Sequence, residues 1–336
     1  MALVCCDRSS AQACGERTTT RALGAHHEVM ITVECLSKRF GRTVAVDSLS
    51  FTVRPGVVTG FLGPNGAGKS TTMRMISGLT RPNSGRAMVN GRALKDHVAP
   101  LAEIGMLLDA AAVHPKRSAR NHLRVIASTN GIPLSRVDDL IGLVGLEDVA
   151  DRSSGDFSLG MGQRLGIATA LLGDPETIML DEPLNGLDPE GIVWIRTMLK
   201  GFASEGRTVF VSSHLMSEMA LMAEHFLIVG AGRLLADTTA VALKSMAAEP
   251  SVRVRTLDAE RLRDLLAADG VRIVSNGPTV ITVIGRTSGE IGAKAATAGI
   301  ALDELVPEQT SLEQVFMALT HDSAQYRAHM HQGSLE

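Results

Sequence analysis

At 336 residues, with 45% hydrophobic and 21% charged residues, the chain exceeds one ordinary domain and can bury a proper core, which excludes a disordered or fibrous protein. Its formal net charge of -3 supplies no basic field to hold a phosphate backbone, so no nucleic-acid partner is expected. The most apolar stretches, near 104–113 and 226–236, are short or carry charge and fall below the roughly 18 residues that a membrane helix needs.

Of the cysteines, Cys5, Cys6 and Cys14 crowd the start and Cys35 stands alone. That is neither a disulfide framework nor a zinc spacing, and a reducing cytoplasm is the economical reading. Residues 1–29 are polar and aperiodic and lack the regions of a secretory signal. They are expected to be a disordered or non-native extension, with Met30 the natural start.

From Met30 onward, strand-like runs at 30–33, 50–53, 57–62, 178–180, 208–211 and 226–229 alternate with helix-compatible stretches. This order predicts an α/β domain over 30–244 with a mostly parallel sheet. Between about 115 and 156 the strand signals stop and two helical patterns, 118–129 and 138–144, predict a helical insert. After about residue 245 the pattern resets. Strands at 252–255, 271–274, 279–284 and 301–306 and helices at 258–268, 289–298 and 311–319 predict a small α+β unit ending near 320, with a flexible tail over 321–336. The same elements would also suit extra layers packed on the larger domain.

The strongest motif is Gly63-Pro64-Asn65-Gly66-Ala67-Gly68-Lys69-Ser70-Thr71, lying between an apolar strand and a helix. Glycines there let backbone N–H groups converge on phosphate oxygens, the helix adds its positive N-terminus, and Lys69 can bridge the β and γ phosphates. Ser70 is then placed to ligate Mg2+. Further on, a buried-type strand runs directly into Asp181-Glu182-Pro183. Such acids are often only a helix cap, but beside a phosphate loop Asp181 suits Mg2+ and Glu182 suits the orientation of an attacking water.

These two motifs, with Phe157-Ser158-Leu159-Gly160-Met161-Gly162-Gln163-Arg164 between them, resemble an ABC-type nucleotide-binding domain over about 31–232. The resemblance implies a P-loop ATP-binding fold with a helical insert, ATP and Mg2+ as cofactors, and a homodimer in which Ser158 and Gly160 meet the γ phosphate held by the other subunit. It departs from the family pattern at Leu159, where glycine is common, and at Met161, where glutamine is. Asn185-Gly186-Leu187-Asp188 resembles the loop that crosses the dimer interface, and His214 the histidine that senses the γ phosphate. Phe40 resembles the aromatic that stacks on adenine; a core phenylalanine accounts for it equally well. Asp109 stands where the family places a glutamine. It could still accept from Mg-bound water, but it adds negative charge near phosphate, which predicts slower or more tightly gated turnover.

The region around 307–316 resembles the tail of the drug-resistance and antibiotic-export branch, where Ser311 and Gln314 suit a helix cap on a dimer or regulatory contact. The resemblance therefore implies a peripheral ATPase at the cytoplasmic face of the membrane, powering a separately encoded integral-membrane permease. Its rivals are a soluble ABC-type regulator of ribosomes or nucleic acid, which usually has two fused nucleotide domains or a coiled-coil insert, and a purely regulatory nucleotide-binding module.

Overall fold

The computed structural model describes residues 30–109, 112–246, 251–267, 271–308 and 312–320. The expected extension 1–29, the tail 321–336 and Ser311 lie outside the described residues.

The chain opens with an antiparallel hairpin, β1 (Ile31–Phe40) and β2 (Thr43–Val53), reversed at Gly41. Next comes β3 (Val58–Leu62), buried along its whole length, which feeds a glycine-rich loop and α1 (Lys69–Ile76). Strand β4 (Ser84–Val89) returns to pair antiparallel with β1, making a three-stranded sheet in the order β2-β1-β4. A short α2 (Pro100–Glu103) leads into β5 (Ile104–Leu107), and the insert follows as α3 (Ala119–Thr129) and α4 (Ser135–Leu143). Ser118 caps α3 by accepting from the Asn121 N–H, the local reason that the helix begins there.

The chain then re-enters the core as α5 (Leu159–Leu171), β6 (Thr177–Asp181), α6 (Pro189–Ser204), β7 (Thr208–Ser213), α7 (Met216–Met222), β8 (His225–Gly230), β9 (Arg233–Thr239) and α8 (Ala240–Met246). The resulting sheet has the order β5-β6-β7-β3-β8-β9, parallel except for β9 at its edge.

Both faces of this sheet are covered, which is why its central strands read as continuous apolar runs. Alternate residues divide between two cores. Ile178, Leu180, Val209 and Val211 face the helical side, while Phe61, Met179 and Phe210 face the antiparallel sheet. There Phe51 of β2 meets Phe61 and Phe210 at ring-centroid distances of 5.6 and 5.8 Å, fixing the small sheet onto the large one. Because β3, β6 and β7 are adjacent and parallel, the loops at their carboxyl ends converge on one edge, where ligands bind in folds of this kind.

A second unit contains β10 (Ser251–Arg255), α9 (Ala259–Ala267), β11 (Arg272–Ser275), β12 (Val280–Ile284), α10 (Ser288–Thr297) and β13 (Glu304–Glu308). Its sheet, β11-β12-β10-β13, is wholly antiparallel and has its own core, including Val252, Val254, Leu262, Ile281 and Ile291. Strand β13 lies later than the run expected over 301–306 because its register is set by pairing with β10, Glu304 to Arg255 and Glu308 to Ser251. The last described helix, α11 (Leu312–Thr320), leaves that sheet: its buried Leu312 and Val315 join the core of the larger unit, and it packs on α7.

Candidate nucleotide-binding site

The loop 63–68 owes its shape to positions that reject a side chain. A Cβ on Gly63 would meet the Val229 carbonyl oxygen at 2.5 Å, and one on Gly68, whose φ is +100°, would meet that of Ala45 at 2.5 Å. The loop is thus pressed between β8 and β2 and delivers Lys69 as the first residue of α1. Ser70 is exposed in the first turn and Thr71 is half-buried beside it.

Lys69 is 6% exposed, and its Nζ donates to the Gly63 carbonyl at 2.7 Å. Nζ also lies 3.4 Å from Glu182 Oε1, while Glu182 Oε2 lies 2.8 Å from His214 Nδ1. With Glu182 ionised the carboxylate only accepts, so the imidazole donates through Nδ1–H. The preceding Asp181 is fixed differently: Ser212 Oγ–H donates to Asp181 Oδ1, and the same hydroxyl oxygen accepts from the Glu182 N–H at 2.9 Å. Register explains this junction, since β6 and β7 pair Asp181 directly with Ser212.

The structure therefore brings Lys69, Asp181, Glu182 and His214 into one cluster at the carboxyl ends of β3, β6 and β7. Asp109 lies two residues beyond β5, at the same end of the sheet, and is exposed. Phe40 ends β1 and is 54% exposed, so it is not a core phenylalanine; Lys38 Nζ stands 5.1 Å from its ring centroid and donates to the Arg81 carbonyl at 2.7 Å. Ser158 and Gly160 are placed elsewhere, at the head of α5. Ser158 Oγ accepts from the Met161 N–H at 3.2 Å, and a Cβ on Gly160 would meet the Gly186 carbonyl at 2.8 Å. Two residues had been given no role of their own by the sequence: Ser212, and Gln163, quoted only within the stretch 157–164, whose Nε2 donates to the Glu182 carbonyl at 3.1 Å. A glutamine in an apolar helical run is a faint signal for such a bond.

Among the described residues no group of three or more His, Cys, Asp or Glu side chains is arranged to hold a metal. The Ser70 hydroxyl and the Asp181 carboxylate are nonetheless hard oxygen donors, the set that suits Mg2+, an ion that keeps several waters and binds through few protein groups plus phosphate. Among the described residues no helix is long and apolar enough to cross a membrane.

Fold and loop together define a P-loop nucleotide-binding protein. The family model described as "ABC transporter" matches residues 46–185, and one described as "Domain of unknown function (DUF8746)" matches 250–313. The chain is 43% identical over 198 residues to the uncharacterized ABC transporter ATP-binding protein YhcH of Bacillus subtilis (strain 168), a match covering 58% of this chain and 65% of that protein. It is 30% identical over 305 residues to the bacitracin transport ATP-binding protein BcrA of Enterococcus faecalis, covering 87% and 96% respectively. A solved structure of the ATP-binding subunit of an ABC transporter superposes with a TM-score of 0.59 at 26% identity, covering 65% of this chain and 92% of that one. The chain belongs to the ATP-binding subunits of the ABC transporter family.

Proposed function

We propose that the protein is a Mg-dependent ATPase that works as a homodimer and powers a separate integral-membrane permease, exporting a drug, antibiotic or lipid-like compound, at the cytoplasmic face of the membrane. The observation that carries this reading is the Lys69–Glu182–His214 cluster beside Asp181, poised at the carboxyl end of the sheet.

The loop 63–71 takes the phosphates, with Lys69 between the β and γ groups and Phe40 stacked on adenine. Ser70 and Asp181, with Asp109, would hold Mg2+, which supplies charge neutralisation across the β and γ phosphates. Glu182 orients the attacking water and takes a proton from it as oxygen bonds to the γ phosphorus and the bond to the ADP oxygen breaks. His214, bonded to Glu182, is positioned to report the γ phosphate. Lys69 pairs with Glu182 here, so nucleotide phosphate competes with the carboxylate for the ammonium and frees Glu182 as ATP arrives. Ser158 and Gly160 would meet the γ phosphate of the partner subunit, so hydrolysis removes a group that bridges the dimer. The export reading is supported by relatives such as the bacitracin transport protein.

The test is to purify a tagged Glu182→Gln protein from detergent-solubilised membranes in Mg-ATP and identify what accompanies it. A near-equimolar polytopic membrane protein is the expected result. Ribosomes, nucleic acid or soluble proteins alone would overturn the exporter reading and leave the ATPase chemistry standing.

A further inference from the structure

Glu182 is held by its backbone as well as by its carboxylate. Its φ of +49° is left-handed, a conformation that a non-glycine residue keeps only where its surroundings over-determine it. Two side chains do so from different elements. Ser212 on β7 accepts from the Glu182 N–H at 2.9 Å, and Gln163 on α5 donates to its carbonyl at 3.1 Å. Gln163 is only 4% exposed and is followed by buried Leu165, Ile167 and Ala168. A buried amide is costly without partners, so the bond to Glu182 accounts for a polar group at this place.

Helix α5 is also the helix capped by Ser158, and its first turns are continuous from Ser158 to Gln163. Its head is tied to the segment that follows Glu182. A Cβ on Gly186 would overlap the Leu159 side chain at 2.4 Å, and one on Gly160 would meet the Gly186 carbonyl at 2.8 Å. Leu159, a departure from the family pattern, thus lies against Gly186 on one side while 64% of its surface stays exposed.

We infer that Gln163 is a positioning residue for Glu182, transmitting the seating of the α5 head to the backbone of the carboxylate that orients water. This rests on the reading above, in which Ser158 and Gly160 meet the nucleotide of the partner subunit. Each subunit would then set the geometry of its own Glu182 according to what its α5 head touches across the dimer. A small tilt of α5 shifts the Gln163 amide, and with it the peptide that aims the carboxylate.

The experiment uses the full chain and Mg-ATP. Gln163→Met keeps the length and removes the donor. Its kcat is expected to fall about 100-fold, the scale of an ångström-sized misplacement, with KM held within about 2-fold. Combined with Glu182→Gln, it should still form the ATP-dependent dimer on gel filtration. Unchanged kcat overturns the inference, and so does loss of nucleotide binding or of the ATP-dependent dimer together with kcat, because that is what a general packing role would produce. If Gln163→Met does not fold, Gln163→Asn, an amide one methylene short of the carbonyl, is read in the same way. Failure of the ATPase reading itself would look different: the unmodified protein would not hydrolyse ATP, and both proposals would fall.

Discussion

The two oxygens of the Glu182 carboxylate are divided between Lys69, 3.4 Å from Oε1, and His214, whose Nδ1 lies 2.8 Å from Oε2. One side chain therefore joins the loop after β3 to the turn after β7. On the proposed reading, His214→Ala should lower kcat by about 10²–10³, the scale for losing one positioned donor to the charge of a transition state, and leave ATP binding nearly intact. Lys69→Met should instead weaken ATP binding about 10-fold or more, since a charge-assisted hydrogen bond to phosphate is lost. Phosphate release and equilibrium nucleotide binding, measured on both variants, separate the two effects. A His214→Ala protein that turns over normally would remove the residue from the site.

Phe40 gives a prediction that stability data can isolate. Since the ring is exposed and touches Lys38 rather than the core, Phe40→Ala should leave the thermal midpoint within about 2 °C, as expected for a surface substitution. It should raise KM for ATP roughly 10-fold, within the worth of one base–aromatic stack. Phe40→Trp should restore the affinity. Equal KM in all three proteins would assign the ring no part in binding the base.

Much of the site was legible because its chemistry is written in contiguous residues. Gly63–Thr71 and Asp181–Glu182 each lie within a single strand-to-loop junction, and the buried strands β3, β6 and β7 read as apolar runs. The three-stranded sheet was less legible. Strand β1 is interrupted by register shifts, with Cys35 at φ +45°, so its alternation breaks; β4 begins Ser84-Gly85-Arg86, exposed and without an apolar period. Gln163 and Ser212 were missed for another reason. Their partners lie on other elements, and no local spacing announces a bond made across a core. Helix α11 was grouped with the small unit by order along the chain, whereas Leu312 and Val315 are buried against the larger one, a matter of packing that periodicity does not address.

Asp109 tests the departure from the family's glutamine. On the proposed reading, Asp109→Gln removes one negative charge from the end of the sheet where the phosphates would bind, while keeping an oxygen acceptor. The expected outcome is a rate increase of about 2- to 10-fold, corresponding to relief of a repulsion of order 1 kcal/mol in a partly solvated site. The Mg2+ concentration for half-maximal activity should shift as well. Identical rates and Mg2+ dependence would discard the idea that this aspartate slows turnover.

Helix α11 makes a stability prediction. Val315 is buried among core residues that include α7, the helix directly after His214. Val315→Ala should cost about 1–3 kcal/mol, the range for removing methyl groups from a packed core, and Val315→Asp more, because an unpaired charge would be buried. Urea denaturation of the nucleotide-free protein measures both. If neither variant changes the midpoint, α11 does not belong to this core.

Asp174 carries the pH dependence. It follows α5 with φ +51° and receives Arg136 at 3.0 Å from the helical insert and Arg207 at 2.9 Å from the start of β7. Burial pushes its carboxyl up, but the hydrogen bonds and charges of Arg207 and Arg136 outweigh that and hold it below the ordinary aspartate value. A carboxyl depressed in the folded state contributes stability that is fully present above its unfolded pKa, about 3.9, and is lost as pH falls through the lower folded value. Asp174→Asn keeps a residue tolerant of left-handed backbone and one oxygen acceptor, and removes the charge. It should therefore lower stability at neutral pH by no more than about 1 kcal/mol, because the side chain is 60% exposed and the pairs are screened by solvent. The gap between the two proteins should hold from pH 7 down to about 5 and narrow as pH drops below about 3.9. Urea midpoints measured on both proteins across that range check the sign: a gap that widens toward acid would show that the arginines do not stabilise the ionised carboxylate.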